Sequence, residues 1–271
     1  MIGTMIIGAV SVFLFGLAIG SFLNVVIYRT IHGESPFEGR SRCPHCKKTI
    51  RAIDNIPLLS FLFLGGRCRY CKTKISWTYP VIELLTGVLF VWWWLGGSLF
   101  FKLTAAPFVY LQPLFWLTVG TLLLSLFFTD FLYGILPDIL VGVLGVLALA
   151  YRVLLTYTGI MQWPDFWYSI ASGIGASLFF FALHALTRGR GMGMGDVKLG
   201  LAFGILLGWP RTLVAVFASF VSGALVGVWL LASGRRQFGQ TIPFGPFLVL
   251  GTMVSLLWGG ALWSWYMGMI F

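Results

Sequence analysis

Ile6-Ile-Gly-Ala-Val-Ser-Val-Phe-Leu-Phe-Gly-Leu-Ala-Ile-Gly-Ser-Phe-Leu-Asn-Val-Val-Ile27 is a run of 22 residues without a charge, and its reading decides the class of the chain. At about 1.5 Å of rise per residue a helix of that length reaches about 33 Å, enough to cross about 30 Å of hydrocarbon. No charged side chain occurs anywhere in residues 1–28. A removable secretory leader would want a basic start, a shorter apolar segment and a small-residue cleavage site, and none of these is present. The run is therefore expected to stay as a first membrane span.

Outward from that span the composition agrees. Of 271 residues 59% are hydrophobic and only 10% charged, against about 25% charged in an ordinary soluble domain. Twelve Trp and 25 Phe suit spans solvated by lipid and anchored at its interfaces, and Trp92-Trp93-Trp94 reads as part of such an aromatic belt. The net charge of +10 would suggest nucleic acid in a soluble protein. In a membrane chain it poses instead the question of sidedness, and nucleic acid is not an expected partner.

From Arg29 to Trp77 the pattern inverts, with ten Lys or Arg, three acids, all four Cys and several Pro and Gly. A water-exposed module of about fifty residues follows the first span. After it, stretches almost free of charge recur at 81–101, 103–128, 135–157, 166–187, 199–210, 212–234 and 246–271, which makes eight expected spans. The 199–210 stretch is short, reaching only about 17 Å. Keeping it places Arg188, Arg190, Lys198, Arg235 and Arg236 with the ten bases of 29–77, fifteen in all, against Lys102, Arg152 and Arg211 on the other side. Dropping it would move Arg235 and Arg236 to the sparse side, so the excess of bases on cytoplasmic loops favours eight crossings. The fold class expected is an all-α polytopic membrane protein of about eight transmembrane helices, with a small cytosolic zinc-ribbon-like insertion after the first. Its parts are a first helix at 1–28, a cytosolic zinc-binding domain at 29–79 and a transmembrane core at 80–271, with the N-terminus outside.

The zinc expectation rests on Cys43-Pro-His-Cys46 and Cys68-Arg-Tyr-Cys71, two C-x2-C pairs separated by 21 residues. Four thiolates so arranged close around a tetrahedral ion at about 2.3 Å. Two disulfides are the alternative, and a cytosolic placement disfavours them. No coordination position stays open, so Cys43, Cys46, Cys68 and Cys71 point to a structural metal that folds a module too small for a core of its own. His45 could replace a Cys but is not needed, and His32 and His184 are read as uninvolved in chemistry.

Eight acids can be weighed singly. Glu34, Glu38 and Asp54 lie in the water-exposed module and Asp165 in an external loop, whereas Glu83, Asp130, Asp138 and Asp196 sit near the cytosolic ends of spans. An ionisable group at membrane depth costs several kcal/mol unless paired or hydrated, which makes it a functional candidate. Asp130 ends a charge-free run at a helix C-terminus, where a carboxylate opposes the macrodipole. Asp138 follows Pro137 at a helix start, where an acid is structurally favourable, so Asp130 is weighted towards chemistry and Asp138 towards architecture. Asp196 follows glycines at 191, 193 and 195, which let backbone approach closely. A phosphate loop is excluded because no strand precedes it. Met192 and Met194 read as packing around the glycines. Asp130 and Asp196 together satisfy the minimum for aspartyl proteolysis, one as base towards water and one as acid towards the scissile carbonyl. A carboxylate-coupled transporter with a structural zinc loop is the alternative that the residues leave open.

Six blocks carry a resemblance. They are Gly20-Ser-Phe-Leu-Asn-Val-Val-Ile-Tyr-Arg29, the Cys43 to Cys71 region with Asp54-Asn-Ile-Pro57, and Ile75-Ser-Trp-Thr-Tyr-Pro80 leading to Glu83. The others are Asp130 through Leu136-Pro137-Asp138, Gly193-Met-Gly-Asp-Val-Lys198 and Ile242-Pro-Phe-Gly-Pro246. In order and spacing, from residue 16 to about 250, the chain resembles the type IV prepilin peptidases. The resemblance implies an intramembrane aspartic protease of the Gly-x-Gly-Asp class in the bacterial inner membrane. Such an enzyme removes the basic leader of type IV prepilins or type II secretion pseudopilins on the cytosolic side. It places the family's catalytic aspartates on Asp130 and Asp196 and its zinc ligands on the four Cys. It also implies methylation of the new N-terminus with S-adenosylmethionine, and partners among prepilins, membrane lipids and the pilus or secretion assembly machinery. No glycine fingerprint for that methyl donor exists in the chain, and Asn24, Arg29, Asp54, Asn55 and Glu83 are the polar residues that come into question.

Overall fold

The structure is a computed structural model that describes residues 2–97, 107–235 and 242–270. Lys102 and Arg236, both used in the charge argument, and the span ends at 98–101 and 103–106 lie outside the described residues. The described residues form helices and turns, with only two isolated β-bridges, Arg42 with Thr49 and Arg67 with Lys74. Seven helices are long and apolar enough to cross a membrane.

The chain divides into two compact units, Met1–Ser125 and Leu126–Phe271. In the first, α1 (Ile2–Ile31) packs along α3 (Thr78–Trp92), which continues as a single π-helical segment over Trp93–Gly97. Without bulky side chains on Gly16 and Gly20 of α1, their backbones meet Gly87 and Glu83 of α3; a Cβ at either would lie 2.8 Å from Gly87 Cα or 2.7 Å from Glu83 Cα. Small residues four apart bring helices together in lipid, where no hydrophobic drive between them exists. The helix α1 runs a turn beyond the apolar stretch because Arg29 is satisfied there by carbonyl oxygens of the following loop. Between α1 and α3 lie a 3-10 turn at Ala52–Asn55 and the one-turn helix α2 (Leu59–Phe63).

The first unit also holds most of α4 (Phe108–Tyr133), whose end begins the second, followed there by α5 (Asp138–Tyr157), α6 (Trp163–Leu186), α7 (Met194–Leu207), α8 (Arg211–Ala232) and α9 (Gly245–Ile270). At 14 residues α7 spans about 21 Å, short of the hydrocarbon thickness, and it is the most deeply buried helix of the unit. It packs against α5 and α6, while α8 pairs with α9. A Cβ at Gly204 of α7 would lie 2.5 Å from Gly173 Cα of α6, so these two backbones touch.

The short element thus begins at Met194, five residues before the expected 199–210 stretch, and ends at Leu207. A charge-free window had to start after Lys198. The helix starts earlier because its two charges are satisfied in its first turns, Asp196 by Gly193 N–H and Lys198 by Asp138. Its far end is held by an unexpected residue. Arg152 is not a loop base; it lies within α5 and donates from Nε to Ile205 O at 3.0 Å and from Nη2 to Leu206 O at 2.8 Å. Those carbonyls have no partner in their own helix, and the guanidinium supplies the donors that they lack.

Gly204→Ala is expected to force α6 and α7 apart and to cost about 1–3 kcal/mol of stability. Gly142→Ala in α5 meets nothing within 4 Å and should be neutral or mildly stabilising. Thermal unfolding of the two variants in detergent, compared with the parent, measures this; equal transitions would contradict the close approach.

Candidate functional site

Asp130 lies in the last turn of α4 and is 6% exposed. Its Oδ2 accepts the backbone N–H of Gly245, the first residue of α9, at 2.8 Å. That N–H is one of the donors a helix start leaves without an internal acceptor, and the positive helix end suits a carboxylate. A side chain at 245 would push the Asp130 carboxylate out of this arrangement, since a Cβ would sit 2.6 Å from the same oxygen. Asp130 therefore escapes the unfavourable end of its own helix by docking on the favourable end of another.

Asp196, 7% exposed, is the third residue of α7. Its Oδ2 accepts Gly193 N–H at 3.0 Å while its own N–H donates to Gly193 O at 3.2 Å, a reciprocal cap of the helix start. Gly195 lies against Leu136, where a Cβ would come within 2.9 Å of Leu136 Cβ. The carboxylates of Asp130 and Asp196 interact electrostatically. Two buried acids from different helices, each with one oxygen held by a backbone N–H, can share the base and acid roles of a hydrolysis.

The other acids are placed otherwise. Asp138 begins α5 with its side chain 72% exposed and takes Lys198 Nζ at 2.7 Å on both oxygens, which ties α5 to the first turns of α7. Glu34, Glu38 and Asp165 are exposed. His184 donates from Nδ1 to Met192 O at 2.7 Å and so braces the glycine loop ahead of Asp196, while Met192 is buried there. His32 Nδ1 bonds Tyr28 O within the end of α1.

The four cysteines converge. Their Sγ atoms all lie within 4.8 Å of one another, Cys43 to Cys71 at 3.9 Å, and none forms a disulfide. A tetrahedral ion about 2.3 Å from four thiolates sets sulfur separations of about 3.8 Å, so the set fits zinc. The two C-x2-C turns are built alike. Lys47 N–H bonds Cys43 O at 2.9 Å and Lys72 N–H bonds Cys68 O at 3.0 Å, with Lys47 and Lys72 both at φ 57°. Arg69, inside the second turn, grips Asp54 from the segment between the turns through Nε at 2.8 Å and Nη2 at 2.6 Å, which holds the Asp54 carboxyl below its usual range.

The remaining polar residues of this unit do not form one cluster. Asn24 Nδ2 donates to Tyr79 O at 3.2 Å and to Gly20 O at 3.3 Å, a pin between α1 and α3. Glu83, buried in α3, accepts Leu58 N–H at 2.9 Å. Leu58 adopts φ 59°, a left-handed backbone rare for leucine. Arg29 binds the carbonyls of Ser35, Glu38 and Arg40, and Asn55 lines a cavity beside it.

Sequence reasoning passed over Gly245 and Arg152. Gly245 stood in view within Pro243-Phe-Gly-Pro246, where a glycine and a proline at a span start signal a helix N-terminus available to an acid. For Arg152 no local signal exists, because its partners are 53 and 54 residues away.

The chain matches the Bacterial Peptidase A24 N-terminal domain over residues 14–96 and the Type IV leader peptidase family over residues 117–228. It is similar to the prepilin leader peptidase/N-methyltransferase of Aeromonas hydrophila, 35% identical over 94% of this chain and 92% of that protein. The proteins of the same name from Legionella pneumophila and Bacillus subtilis (strain 168) are 34% and 32% identical. These alignments cover 94% and 95% of this chain, and 93% and 97% of those proteins. No solved structure matches the chain. A transporter reading of the buried acids is not favoured by this likeness.

One zinc ion per chain is expected on elemental analysis of the purified protein, and Cys68→Ser should reduce it to background. A parent protein free of metal would rule out the four-thiolate site.

Proposed function

This chain belongs to the type IV leader peptidase family, and we propose that it is an aspartic endopeptidase of the membrane that removes the leader of type IV prepilins or type II secretion pseudopilins. The observation that carries the proposal is the buried pair Asp130 and Asp196, each held on one oxygen by a helix-start N–H. One carboxylate takes a proton from the attacking water while the other, protonated, polarises the scissile carbonyl and then protonates the leaving amine. The N–H groups of Gly193 and Gly245 keep the side chains in place, so that each acid has an oxygen left for water or peptide.

The domain boundaries fit this reading as a first helix at 1–28, a zinc-binding domain at 29–79 and a peptidase core at 80–271. Cys43, Cys46, Cys68 and Cys71 would hold zinc as a structural ion that replaces a core, and the metal takes no part in hydrolysis. The names of the relatives support a second activity, methylation of the new N-terminal amine, for which S-adenosylmethionine supplies the methyl group. Asn24, Arg29, Asp54, Asn55 and Glu83 remain the polar residues to consider for it. The bias of fifteen bases to one side supports a bacterial inner-membrane protein with its N-terminus outside and both the zinc domain and the aspartates on the cytosolic side. Lipid head groups and the assembly machinery of pili or secretion are the partners that go with that placement.

Asp130→Asn and Asp196→Asn are each expected to lower leader removal by at least about 100-fold, the scale of a lost general acid or base, with unchanged membrane insertion. Asp138→Asn should cleave normally. Gel analysis of a prepilin incubated with each purified variant gives the answer, and undiminished cleavage by either of the first two would refute the pair. Chelation or Cys43→Ser should impair methylation more than cleavage; equal loss of both would mean that the zinc domain scaffolds the whole enzyme.

A further inference from the structure

The peptide unit between Met192 and Gly193 is gripped at both ends. Its N–H donates to Asp196 Oδ2 at 3.0 Å, and its carbonyl accepts a hydrogen bond from His184 Nδ1 at 2.7 Å. In a trans peptide the two groups point in opposite directions within one rigid plane. The bond that His184 makes therefore fixes the direction of the N–H that holds the acid. A carbonyl only accepts, so Nδ1 carries the proton in this contact.

Little else sets that plane. Among the described residues no backbone–backbone bond reaches Gly191 or Met192; the loop's own bonds stop at Arg190 N–H to Thr187 O and resume at Asp196 N–H to Gly193 O. Gly193 sits at φ −78°, and a glycine takes positive φ about as readily. Turning the Met192–Gly193 peptide over is thus cheap for the backbone, and it would aim an oxygen instead of an N–H at the Asp196 carboxylate. His184, by contrast, is well placed to resist such a turn. It lies in the last turn of α6, and its ring stacks on Phe181 with centroids 6.5 Å apart. Gly189, at φ 76°, donates its N–H to His184 O at 2.8 Å and brings the chain back against the ring, where a Cβ would come within 3.3 Å of Cε1.

We propose that His184 is a positioning residue for the hydrolysis, which sets the orientation of the Met192–Gly193 peptide and through it the place of the Asp196 carboxylate. The inference rests on the peptidase reading given above. His184 acts through that peptide and not on the substrate, so it stays outside the chemistry while the geometry of one acid depends on it. Hydrogen bonds in a chain polarise one another, and the same contact strengthens the Gly193 N–H as a donor to Asp196.

The test follows leader cleavage of a prepilin over a range of substrate concentrations with the full-length protein, His184→Phe and His184→Asn. Phenylalanine keeps a ring against Phe181 and Gly189 without a donor, whereas asparagine offers Nδ2 in the place of Nδ1. His184→Phe is expected to lower kcat by about 10–100-fold, the scale of a slightly displaced catalytic group, with KM unchanged. His184→Asn should recover most of that loss. Parental kcat in His184→Phe, or a loss that His184→Asn does not recover, would overturn the role of His184 and leave the pair Asp130 and Asp196 standing. A parent protein that does not cleave would overturn the peptidase reading and this role with it.

Discussion

A carboxylate at membrane depth has to be solvated by the protein itself, and here a backbone N–H at a helix start does so twice. Gly245 serves Asp130 and Gly193 serves Asp196. Much of the second unit follows from that requirement. The start of α9 must reach the end of α4 with no side chain between them, and α7 must begin beside Leu136 on a glycine. A helix terminus is the only place where a backbone offers free donors in hydrocarbon, so both acids lie where helices start or stop.

The same shortage of solvent explains why α7 can be short. A helix that ends among buried residues leaves carbonyls that cost several kcal/mol each if unpaired. Arg152 answers two of them, and Gly208 at φ 69° turns the chain away while its N–H bonds Gly204 O. Arg152 and Asp196 thus hold opposite ends of one buried helix, and the position of the acid depends on packing along its length. Gly173 against Gly204 and Phe180 beside Gly200 leave that helix little freedom to slide.

What could be read from the sequence was what depends on scarcity. Charge-free stretches located the seven long spans to within a few residues, since a charge in lipid is rarely tolerated. The same criterion misplaced the short helix, because Asp196 and Lys198 are charges that the fold satisfies and a window cannot know it. The cysteines were legible because their spacing is a local property. Gly245, Arg152 and the cavity beside α1 were not, because each is defined by residues distant in the chain and none leaves a period. Asp130 and Asp196 stood out among eight acids, yet only the folded chain brings them into one electrostatic field.

Charge in the first unit serves several ends, which limits what its sign implies about a substrate. Arg69 is committed to Asp54 and Arg29 largely to loop carbonyls, while Lys48 and Arg51 gather over the ring of Tyr70. The uncommitted bases form a positive surface. On the proposed reading the leader of the substrate is also basic, so that surface repels it and is better matched to anionic lipid head groups. Selection of a substrate must then come from its apolar helix in the membrane and from the cleavage boundary presented to Asp130 and Asp196. On that reading the placement of bases along the chain bears on orientation in the bilayer, and apolar contact together with two shielded carboxylates bears on what is cut.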